Sequence, residues 1–424
     1  MVTSDFRYES FPDNPVRVLA GAGAWQQVPA ELRELGLGRV LAVCGAHVSR
    51  VPAVRDLLAS APDLIVGVFD GVEPDPSDRT IATAGKLAAE LGADGILAVG
   101  GGSSLDAGKA IAAEAVQPGW IATRDVPGQP TEVPDGVLPL VAVPTTAGTA
   151  SEVTPFSVIT FLAHRRKLSL NHPAFYPRLA VLDPLLLASA PQEARVAAGM
   201  DALTHAVESY LSRQATAQTS HRSQEAVEGI ARHLVGASAA EPDLGALAGL
   251  QWAAMIAGLA FAVARLGIVH AAALPISALF GVPHGVANAI LLPHGMDFNL
   301  PAAPEEMGNL AAWLDVYKSG TGEAEPTPAI ADNRHPSPSG EGQGKWVTAQ
   351  SLPRRACGAE PGAAASKVRE LARTIGAPAR MSEVGVDREA IPAMVAEAMK
   401  SAHVAFNPRA ITAEDMREFY EKAW

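Results

Sequence analysis

Residues 94–115, DGILAVGGGSSLDAGKAIAAEA, decide the fold class of this chain. A short apolar run is followed by three glycines, Gly100 to Gly102, and then by a stretch with helical character. A strand, a small-residue turn and a helix form the repeating unit of a parallel α/β sheet. Glycines at such a turn let backbone N–H groups approach a phosphate, and the helix N-terminus adds about half a positive charge. The alternative is a tight turn without a ligand, because the segment is neither a G-x-G-x-x-G fingerprint nor a P-loop.

Similar units surround this segment. Strand-like runs occupy 39–45, 64–72 and 179–184, with helical stretches between the earlier ones. Residues 139–154, PLVAVPTTAGTASEVT, repeat the plan of a strand followed by a small-residue turn. The alternation predicts a parallel sheet covered by helices on both faces. Two such turns at the carboxyl ends of strands predict a nucleotide in the crevice beside them.

The character of the sequence changes near residue 187. The stretches that follow carry helical periodicity and few β-branched clusters. We therefore predict an α/β dinucleotide-binding domain over 1–187 and an all-helical, metal-binding domain over 188–424. Within the second domain, residues 319–365 are rich in Pro, Gly, Ser and charge, which predicts a flexible surface insertion.

Composition limits the class of protein and of partner. The 424 residues are 48% hydrophobic, which is typical of a globular chain, and the net charge is −12. That charge argues against a general nucleic-acid binder, which needs a basic face. The two cysteines, Cys44 and Cys357, make neither a disulfide framework nor a cysteine zinc site.

We expect a cytoplasmic protein without a membrane span. The N-terminus is polar and lacks a secretory signal, and the low cysteine content suits a reducing compartment. The apolar stretch 253–283 is interrupted by Arg265, His270 and Pro275, which favours a pair of buried core helices over a membrane span.

Candidate metal ligands occur in the second half of the chain. Asp201 and His205 are four residues apart in GMDALTHAVE (199–208), so they share one helix face. By themselves they also fit an exposed polar pair. His270, His284 and His294 lie in an apolar run, where a histidine is often only a core residue. One carboxylate with several imidazoles suits a divalent transition metal such as iron or zinc.

Together these motifs resemble the iron-containing (group III) alcohol dehydrogenase family, whose fold is shared with dehydroquinate synthase. The resemblance implies a metal-dependent, NAD(P)-linked oxidoreductase of alcohols and aldehydes or ketones, with the metal and the cofactor in the cleft between the two domains. It also makes a homodimer the expected assembly. The motifs that carry it are GGGSSLD (100–106), PTTAGTASEVT (144–154), GMDALTHAVESY (199–210), GIVHAAALPISALFGVPHGVANAILLP (267–293) and NPRAIT (407–412).

The resemblance also implies roles for individual residues. The metal-binding and catalytic set would be Asp201, His205, His270 and His284. The cofactor-binding set would be Gly101, Gly102, Ser103, Thr145, Thr146, Thr149, Thr154 and Lys167. Two further candidates are Asp106, which can cap the helix or bind a ribose, and Gly45, which stands at the end of the second predicted strand.

Two positions depart from the family pattern. Many members have a second histidine four residues after the third ligand, where this chain has Leu274, and leucine cannot relay a proton. His294 is one possible substitute. Members that prefer NAD have an aspartate where this chain has Gly45, so NADP is expected to be accepted, with His47 or Arg50 near its phosphate.

Other functions remain open on the sequence alone. On the same fold they are a maleylacetate reductase, a glycerol dehydrogenase-like enzyme or a dehydroquinate synthase-like reaction. An alternative of another class is a catalytically impaired protein kept for binding or assembly, which the missing histidine at Leu274 favours.

Overall fold

The computed structural model describes residues 6–125, 131–163, 166–316 and 360–424. Its strands are β1 (Arg7–Phe11), β2 (Asn14–Ala20), β3 (Val40–Val43), β4 (Ile65–Phe69), β5 (Gly95–Gly100), β6 (Leu140–Pro144), β7 (Phe156–Phe161), β8 (Arg166–Asn171) and β9 (Leu179–Leu182). The helices of the first half are α1 (Val28–Glu34), α2 (Pro52–Ala59), α3 (Asp78–Glu90), α4 (Gly102–Glu114) and α5 (Pro184–Leu187).

The second half of the chain contributes helices. They are α6 (Gln192–Leu211), α7 (Ala217–Ala237), α8 (Leu244–Ala264), α9 (Ile268–Phe280), α10 (His284–Asn299), α11 (Pro304–Leu314), α12 (Ala363–Thr374), α13 (Ile391–Ala398) and α14 (Ala413–Ala423). No strand lies beyond β9 in the described part of this half. The fold class is therefore confirmed, with an α/β N-terminal part and an all-helical C-terminal part.

Seven strands form one sheet in the order β1-β2-β9-β6-β5-β3-β4. Every neighbouring pair is parallel except β1 and β2, which are antiparallel. All residues of β3, β5, β6 and β9 are buried, as expected for parallel strands covered by helices on both faces.

Two antiparallel features were not predicted from the sequence. β1 forms the edge of the sheet, and β7 and β8 make a separate two-stranded hairpin. The predicted parallel sheet is present as β2-β9-β6-β5-β3-β4, and the antiparallel β1 and the hairpin are additions to it. Short two-stranded ribbons carry weak periodicity, and their pairing depends on the loops that bring them together.

The helix α8 is by length and composition the one described helix that is apolar enough to cross a membrane. However, 72% of its most apolar window is buried, and it packs mainly on α6 and α7. A core helix of a soluble protein passes the same test, so α8 is weak evidence for a membrane. The expected pair of buried core helices is present as α8 and α9.

The predicted domain division and the predicted insertion can be compared with the structure only in part. The division at 187/188 falls between the end of α5 and the start of α6, and the domain limits stay a prediction. Residues 319–359 of the predicted insertion lie outside the described residues. Its last part was placed wrongly, because α12 already begins at Ala363, where alanines favour a helix and Ala364 and Ala365 are buried.

Candidate functional site

The helix α6 brings Asp201 and His205 into the interior of the protein. Their relative exposures are 3% and 5%, so the alternative of an exposed polar pair is wrong. Glu208 lies seven residues after Asp201 on the same face and is equally buried. Three polar side chains on a buried helix face need partners, and those partners come from α9 and α10.

Three of the four predicted metal ligands form one group of ligand atoms, and the fourth, His205, lies beside Asp201. One ligand atom each from Asp201, His270 and His284 lie within 4.8 Å of one another. Asp201 Oδ1 lies 3.9 Å from His205 Nε2 and 3.8 Å from both His270 Nε2 and His284 Nε2. Ligands at about 2.0–2.2 Å from one tetrahedral ion are themselves roughly 3.3–3.6 Å apart. The distances to Asp201 Oδ1 are a few tenths of an ångström wider than that, and the group as a whole spans up to 4.8 Å, so the side chains would have to move together to bind one ion.

Hydrogen bonds hold two of the imidazoles with Nε2 toward Asp201. His270 Nδ1 lies 2.6 Å from Glu208 Oε2, and His205 Nδ1 lies 3.3 Å from the Gly148 carbonyl oxygen. Because these oxygens accept hydrogen bonds, the Nδ1 atoms donate them. The lone pair on each Nε2 is then available to a metal. Glu208 is itself fixed by the backbone N–H of Val269, which donates to Oε1 over 2.7 Å.

The electrostatics keep the cluster in the protonation states that metal binding requires. Burial lowers the pKa of His205 and, more strongly, the pKa of His270, so both rings are neutral at neutral pH. Burial by itself would raise the pKa of the Asp201 carboxyl, but it is outweighed and that pKa is lowered, because any positive charge on His205, His284 or His270 favours the carboxylate and Asn288 donates a hydrogen bond to it. A carboxylate facing neutral imidazoles is ready to bind a cation.

The amide of Asn288 supports the fit of a metal. Its Nδ2 lies 2.6 Å from Asp201 Oδ1, 3.1 Å from His284 Nε2 and 3.3 Å from His270 Nε2. Its Oδ1 is buried without a hydrogen-bond partner. The amide thus contacts one carboxylate and two imidazoles and keeps an unpaired buried oxygen, which is an unfinished polar site that a divalent cation would complete.

Aromatic rings pack behind the cluster. The His205 ring stacks on His270 at 4.7 Å between centroids and on Phe261 at 4.3 Å. Phe261 in turn stacks on Phe156, which is the first residue of β7. The hairpin and the metal ligands are therefore joined by one column of rings, which shields that side of the cluster from water.

The two small-residue turns pack against each other. The N–H of Thr145 donates to the carbonyl oxygen of Gly100 over 2.9 Å. A β-carbon placed on Gly102 would lie 2.6 Å from Thr149 Cγ2, and one on Gly101 would lie 3.3 Å from Thr146 Oγ1. Glycine is required at Gly102 because the second turn approaches so closely.

The second turn also contacts the cluster of proposed metal ligands, because the carbonyl oxygen of Gly148 lies 3.3 Å from His205 Nδ1. The turn from Pro144 to Glu152 therefore lies between the glycine turn and the proposed metal ligands. A cofactor bound at the glycine turn and a metal bound by Asp201 and His205 on α6 would therefore be neighbours.

A buried lysine ties the helix after the glycine turn to the hairpin. Lys109 Nζ donates to Ser151 Oγ at 2.6 Å and to the carbonyl oxygens of Thr154 and Phe156 at 3.0 and 2.6 Å. Burial lowers the pKa of Lys109 to about 8. Asp106 Oδ1 accepts from Ser151 Oγ at 2.5 Å, and its Oδ2 accepts from a backbone N–H of β7. Both oxygens of Asp106 already have protein partners.

Lys167 reaches the same turn from β8. Its Nζ lies 2.6 Å from Asp75 Oδ2, and the N–H of Asp75 donates to Ser103 Oγ at 3.2 Å. Ser103 is in the first turn of α4. The predicted cofactor residues Ser103 and Lys167 therefore lie on one small network around Asp75.

Gly45 lies just after β3, as expected. Glycine is favoured there for a steric reason that the sequence did not reveal. A β-carbon there would lie 2.9 Å from the Val72 carbonyl oxygen. His47 and Arg50 are exposed in the following loop. Asp70 is also exposed nearby, with Oδ2 3.3 Å from Ser49 Oγ. His47 and Arg50 in this loop, together with Asp70 after β4, thus place two basic groups and one acidic group near Gly45.

The surroundings of His270 contain a histidine that sequence reasoning missed. Leu274 lies one turn after His270 on α9. His294, the suggested substitute, has Arg369, Asp297 and Lys422 among its charged neighbours, and burial lowers its pKa. His403 instead places its ring 6.1 Å from the His270 ring.

Other missed residues are Glu208, Asn288 and Lys109. Glu208 could have been found from helical spacing, because it shares the face of Asp201. Asn288 follows His284 by four residues, which is also a helical neighbour. His403 gave no signal, since only tertiary structure brings it near His270.

The chain matches family models over almost its full length. The model described as "Iron-containing alcohol dehydrogenase" matches residues 15–184. The model described as "Fe-containing alcohol dehydrogenase family, C-terminal" matches residues 195–334 and 349–424. The interruption between the last two ranges is narrower than the predicted insertion at 319–365.

Relatives and solved structures agree with these matches. The chain is 34% identical over 412 residues to a lactaldehyde reductase of Escherichia coli (strain K12), covering 95% of this chain and 97% of the relative. It is 28% identical over 411 residues to an NAD-dependent methanol dehydrogenase of Bacillus methanolicus, covering 96% and 98%. The crystal structure of a 1,3-propanediol oxidoreductase superposes with a TM-score of 0.81 at 31% identity, covering 100% of both chains. The chain therefore belongs to the iron-containing alcohol dehydrogenase family, and it is an NAD-linked, metal-dependent oxidoreductase of alcohols and aldehydes.

Proposed function

We propose that Asp201, His205, His270 and His284 bind one Fe²⁺ or Zn²⁺ ion, and that this chain interconverts a short aliphatic aldehyde and its alcohol there. The observation that carries the proposal is the convergence of ligand atoms from α6, α9 and α10 within 4.8 Å. The ion would act as a Lewis acid on the oxygen of the substrate.

The chain's own residues orient the reactants. Gly101, Gly102 and Ser103 would hold the cofactor diphosphate at the N-terminus of α4. Thr145, Thr146, Thr149 and Thr154 would border the cofactor along the second turn, and Lys167 would approach its ribose. When bound beside the cluster, the nicotinamide would supply or accept the hydride at its C4, and the Phe261 side of the column would exclude water from the reactants.

The contacts support an indirect role for Asp106. Its two oxygens accept hydrogen bonds from Ser151 and β7, and its carboxylate lies 3.7 Å from Lys109 Nζ. We therefore propose that Asp106 holds the β7–β8 hairpin against α4, the helix that follows the glycine turn. This role is favoured over binding a ribose.

The substrate we propose is an aldehyde or alcohol of about three carbons. The support comes from the relatives, which are named for lactaldehyde and 1,3-propanediol. Leu274 adds an apolar surface one turn from His270, which favours an aliphatic chain over a charged substrate.

The direct test is oxidation of NADH by propanal, 2-hydroxypropanal and 3-hydroxypropanal, measured at 340 nm after loading with Fe²⁺ or Zn²⁺. We expect turnover with at least one of these aldehydes. Asp201→Ala should lose both turnover and bound metal, whereas Asp297→Ala, an exposed position on α10, should lose neither. Absence of turnover with either metal would favour the catalytically impaired alternative, and undiminished metal in Asp201→Ala would refute the ligand assignment.

We also propose that NADPH is accepted at least as well as NADH. Gly45 leaves no carboxylate at the end of β3, and Arg50 is available for a 2′-phosphate. The measurement is the ratio of kcat/KM for the two cofactors. Arg50→Ala should lower that ratio for NADPH, while Arg55→Ala, exposed on α2, should not change it. A strong preference for NADH in the unmodified protein would refute this proposal.

A cytoplasmic location and a homodimer complete the proposal. The location is supported by the low cysteine content, which suits a reducing compartment. The homodimer rests on family resemblance alone, and light scattering coupled to size-exclusion chromatography tests it.

A further inference from the structure

The second turn, from Pro144 to Glu152, packs closely on helix α6 at Gly148. This glycine is buried, and a β-carbon placed on it would lie 2.8 Å from the Ala198 carbonyl oxygen and 2.9 Å from Ala198 Cα. Its φ is negative, so the backbone conformation of the turn does not require a glycine there. Glycine is required because the turn and the backbone of α6 approach each other so closely.

A second glycine packs on the same part of α6 from α10. A β-carbon placed on Gly285 would lie 2.6 Å from the Ala197 carbonyl carbon, and Gly285 directly follows the proposed ligand His284. Ala197 and Ala198 come one helical turn before Asp201 on α6. The backbone of α6 is therefore contacted by the second turn and by α10 just before it presents its first ligand.

Gly148 also has a polar contact with the proposed metal ligands. Its carbonyl oxygen lies 3.3 Å from Nδ1 of His205, which is two helical turns after Ala198 on α6. The second turn is thus attached to α6 by one steric contact and one hydrogen bond. A shift of the turn along α6 would either move the His205 ring or break that hydrogen bond.

The residue after Gly148 contacts the glycine turn. Thr149 is exposed, and a β-carbon placed on Gly102 would lie 2.6 Å from Thr149 Cγ2. On the other side of Gly148, residues 145–147 line a small cavity together with Arg195 of α6, which leaves the turn room to shift. A cofactor that fixes Thr149 at the glycine turn therefore also fixes Gly148 relative to α6.

The spacing of the proposed ligands gives this attachment an energetic consequence. Asp201 Oδ1 lies 3.9 Å from His205 Nε2, which is wider than the roughly 3.3–3.6 Å between two ligands of one tetrahedral ion. Binding an ion therefore draws His205 inward, and the turn that holds His205 has to be ordered in the new position. When one ligand has already ordered the turn, the other ligand loses less conformational entropy on binding.

We propose that Gly148 is a positioning residue through which the metal and the cofactor bind cooperatively. It joins the second turn to Ala198 and His205 on α6, so each ligand tightens the binding of the other by the same factor. The inference rests on the metal and cofactor residues proposed above. It adds an energetic coupling between the two sites and names the residue that transmits it.

The test measures the Zn²⁺ affinity of the protein with a competing chelator, in the presence and in the absence of saturating NADH. We expect NADH to tighten Zn²⁺ binding about fivefold or more, the lower end of typical couplings between two sites. NADH binding, measured by fluorescence, should tighten by the same factor when Zn²⁺ is bound. An equal Zn²⁺ affinity with and without NADH would overturn the inference.

Gly148→Ala is the decisive variant, because the added methyl group pushes the turn away from α6. Both ligands should still bind, but each should change the affinity for the other by less than about twofold. Gly229→Ala is the matched control, since its β-carbon would lie 2.8 Å from Ala253 Cβ, where α7 packs on α8. It should cost similar packing energy and keep the full coupling. Full coupling in Gly148→Ala, or its loss in Gly229→Ala, would contradict the role of Gly148.

Ala198→Gly is the second variant and keeps the inference testable if Gly148→Ala fails to fold. It removes a methyl group from the α6 side of the contact without creating a clash, and it should also weaken the coupling. Retention of the full coupling in this variant would count against the inference.

ADP-ribose separates the proposed route from a direct contact between the nicotinamide and the ion. This fragment keeps the diphosphate but lacks the nicotinamide, and it should retain most of the coupling to Zn²⁺ in the unmodified protein. Coupling with NADH but none with ADP-ribose would overturn the inference. Failure of the proposed function has a different signature, because Asp201→Ala would then bind Zn²⁺ as tightly as the unmodified protein.

Discussion

Glu208 shows at the scale of one residue how a buried side chain can control a metal site without belonging to the ligand set. Its carboxylate accepts from His270 Nδ1 and from the N–H of Val269. It therefore fixes both the orientation and the tautomer of His270. Burial raises the pKa of Glu208, so its ionised form depends on these donors.

Replacing Glu208 with glutamine should weaken metal binding. The amide keeps the size of the side chain, but only one of its two polar ends can accept, so either His270 or Val269 loses its acceptor. We expect the affinity for the metal to fall about 10- to 100-fold, the usual effect of losing such a partner. Titration with a metal-competing chelator measures it. Glu193→Gln on the exposed start of α6 is the control, and an unchanged affinity in Glu208→Gln would contradict the role assigned to Glu208.

Glu152 should make stability depend on pH. Burial raises the pKa of this carboxyl to about 7, although Lys109 opposes the shift. Between pH 4.5 and 7 the folded protein therefore binds more protons at this position than the unfolded chain. Stability from Glu152 is present below about pH 4.5 and is lost as the pH rises through about 7.

The variant Glu152→Gln isolates this effect from the other titrating groups. We expect the difference in free energy of unfolding between the variant and the unmodified protein to change between pH 5 and 7, in favour of the variant at pH 7. Urea unfolding at a series of pH values measures the difference. A difference that stays constant with pH would show that the carboxyl titrates at its ordinary value.

At the scale of elements, one lysine connects α4 with the β7–β8 hairpin. Lys109 satisfies two backbone carbonyls and one hydroxyl beside the second turn. The hairpin also carries Lys167 and, through Phe156, the start of the ring column. The position of the hairpin next to the glycine turn therefore depends on the buried amine of Lys109.

Lys109→Met should lower both the stability of the protein and its affinity for the cofactor. The variant leaves carbonyl oxygens without a donor, so the free energy of unfolding should fall by about 1–3 kcal/mol or more. The Kd for NADH should rise, because the hairpin loses its attachment. Lys86→Met, exposed on α3, removes a lysine of the same length and should change neither quantity. Normal NADH binding in Lys109→Met would contradict the connection between the hairpin and the cofactor.

At the scale of the whole molecule, the proposed metal site joins three long helices. Its ligands come from α6, α9 and α10, and α6 also contacts the sheet domain through His205 and Gly148. A ligand that binds only the folded state stabilises it by about 2.7 kcal/mol at a free concentration of 100 times its Kd. Metal content should therefore control thermal stability.

Chelation should lower the Tm by roughly 3 °C, and added Zn²⁺ or Fe²⁺ should restore it. Differential scanning calorimetry measures the shift. Asp201→Ala should show almost no response to the chelator, since its site is already incomplete. An equal response in that variant would place the stabilising ion elsewhere.

Local sequence was sufficient to predict much of the fold. Buried apolar runs, glycine turns and helical periodicity identified β3, β5 and β6 and the change to helices after α5. These signals are local, because a parallel strand buried on both faces is continuously apolar and an N-terminal turn needs small residues. The β7–β8 hairpin and the antiparallel β1 escaped, because their pairing depends on distant loops.

The site divides in the same way. The sequence by itself determined the chemical types, the spacing of Asp201 and His205 on one helix face, and the glycines of the cofactor turn, since these follow from helix and turn geometry. Only the tertiary structure decided that Glu208 orients His270, that both oxygens of Asp106 have protein partners, and that His403 reaches the cluster. Those contacts join residues 45 to 133 positions apart, and no short-range pattern encodes how helices pack in three dimensions.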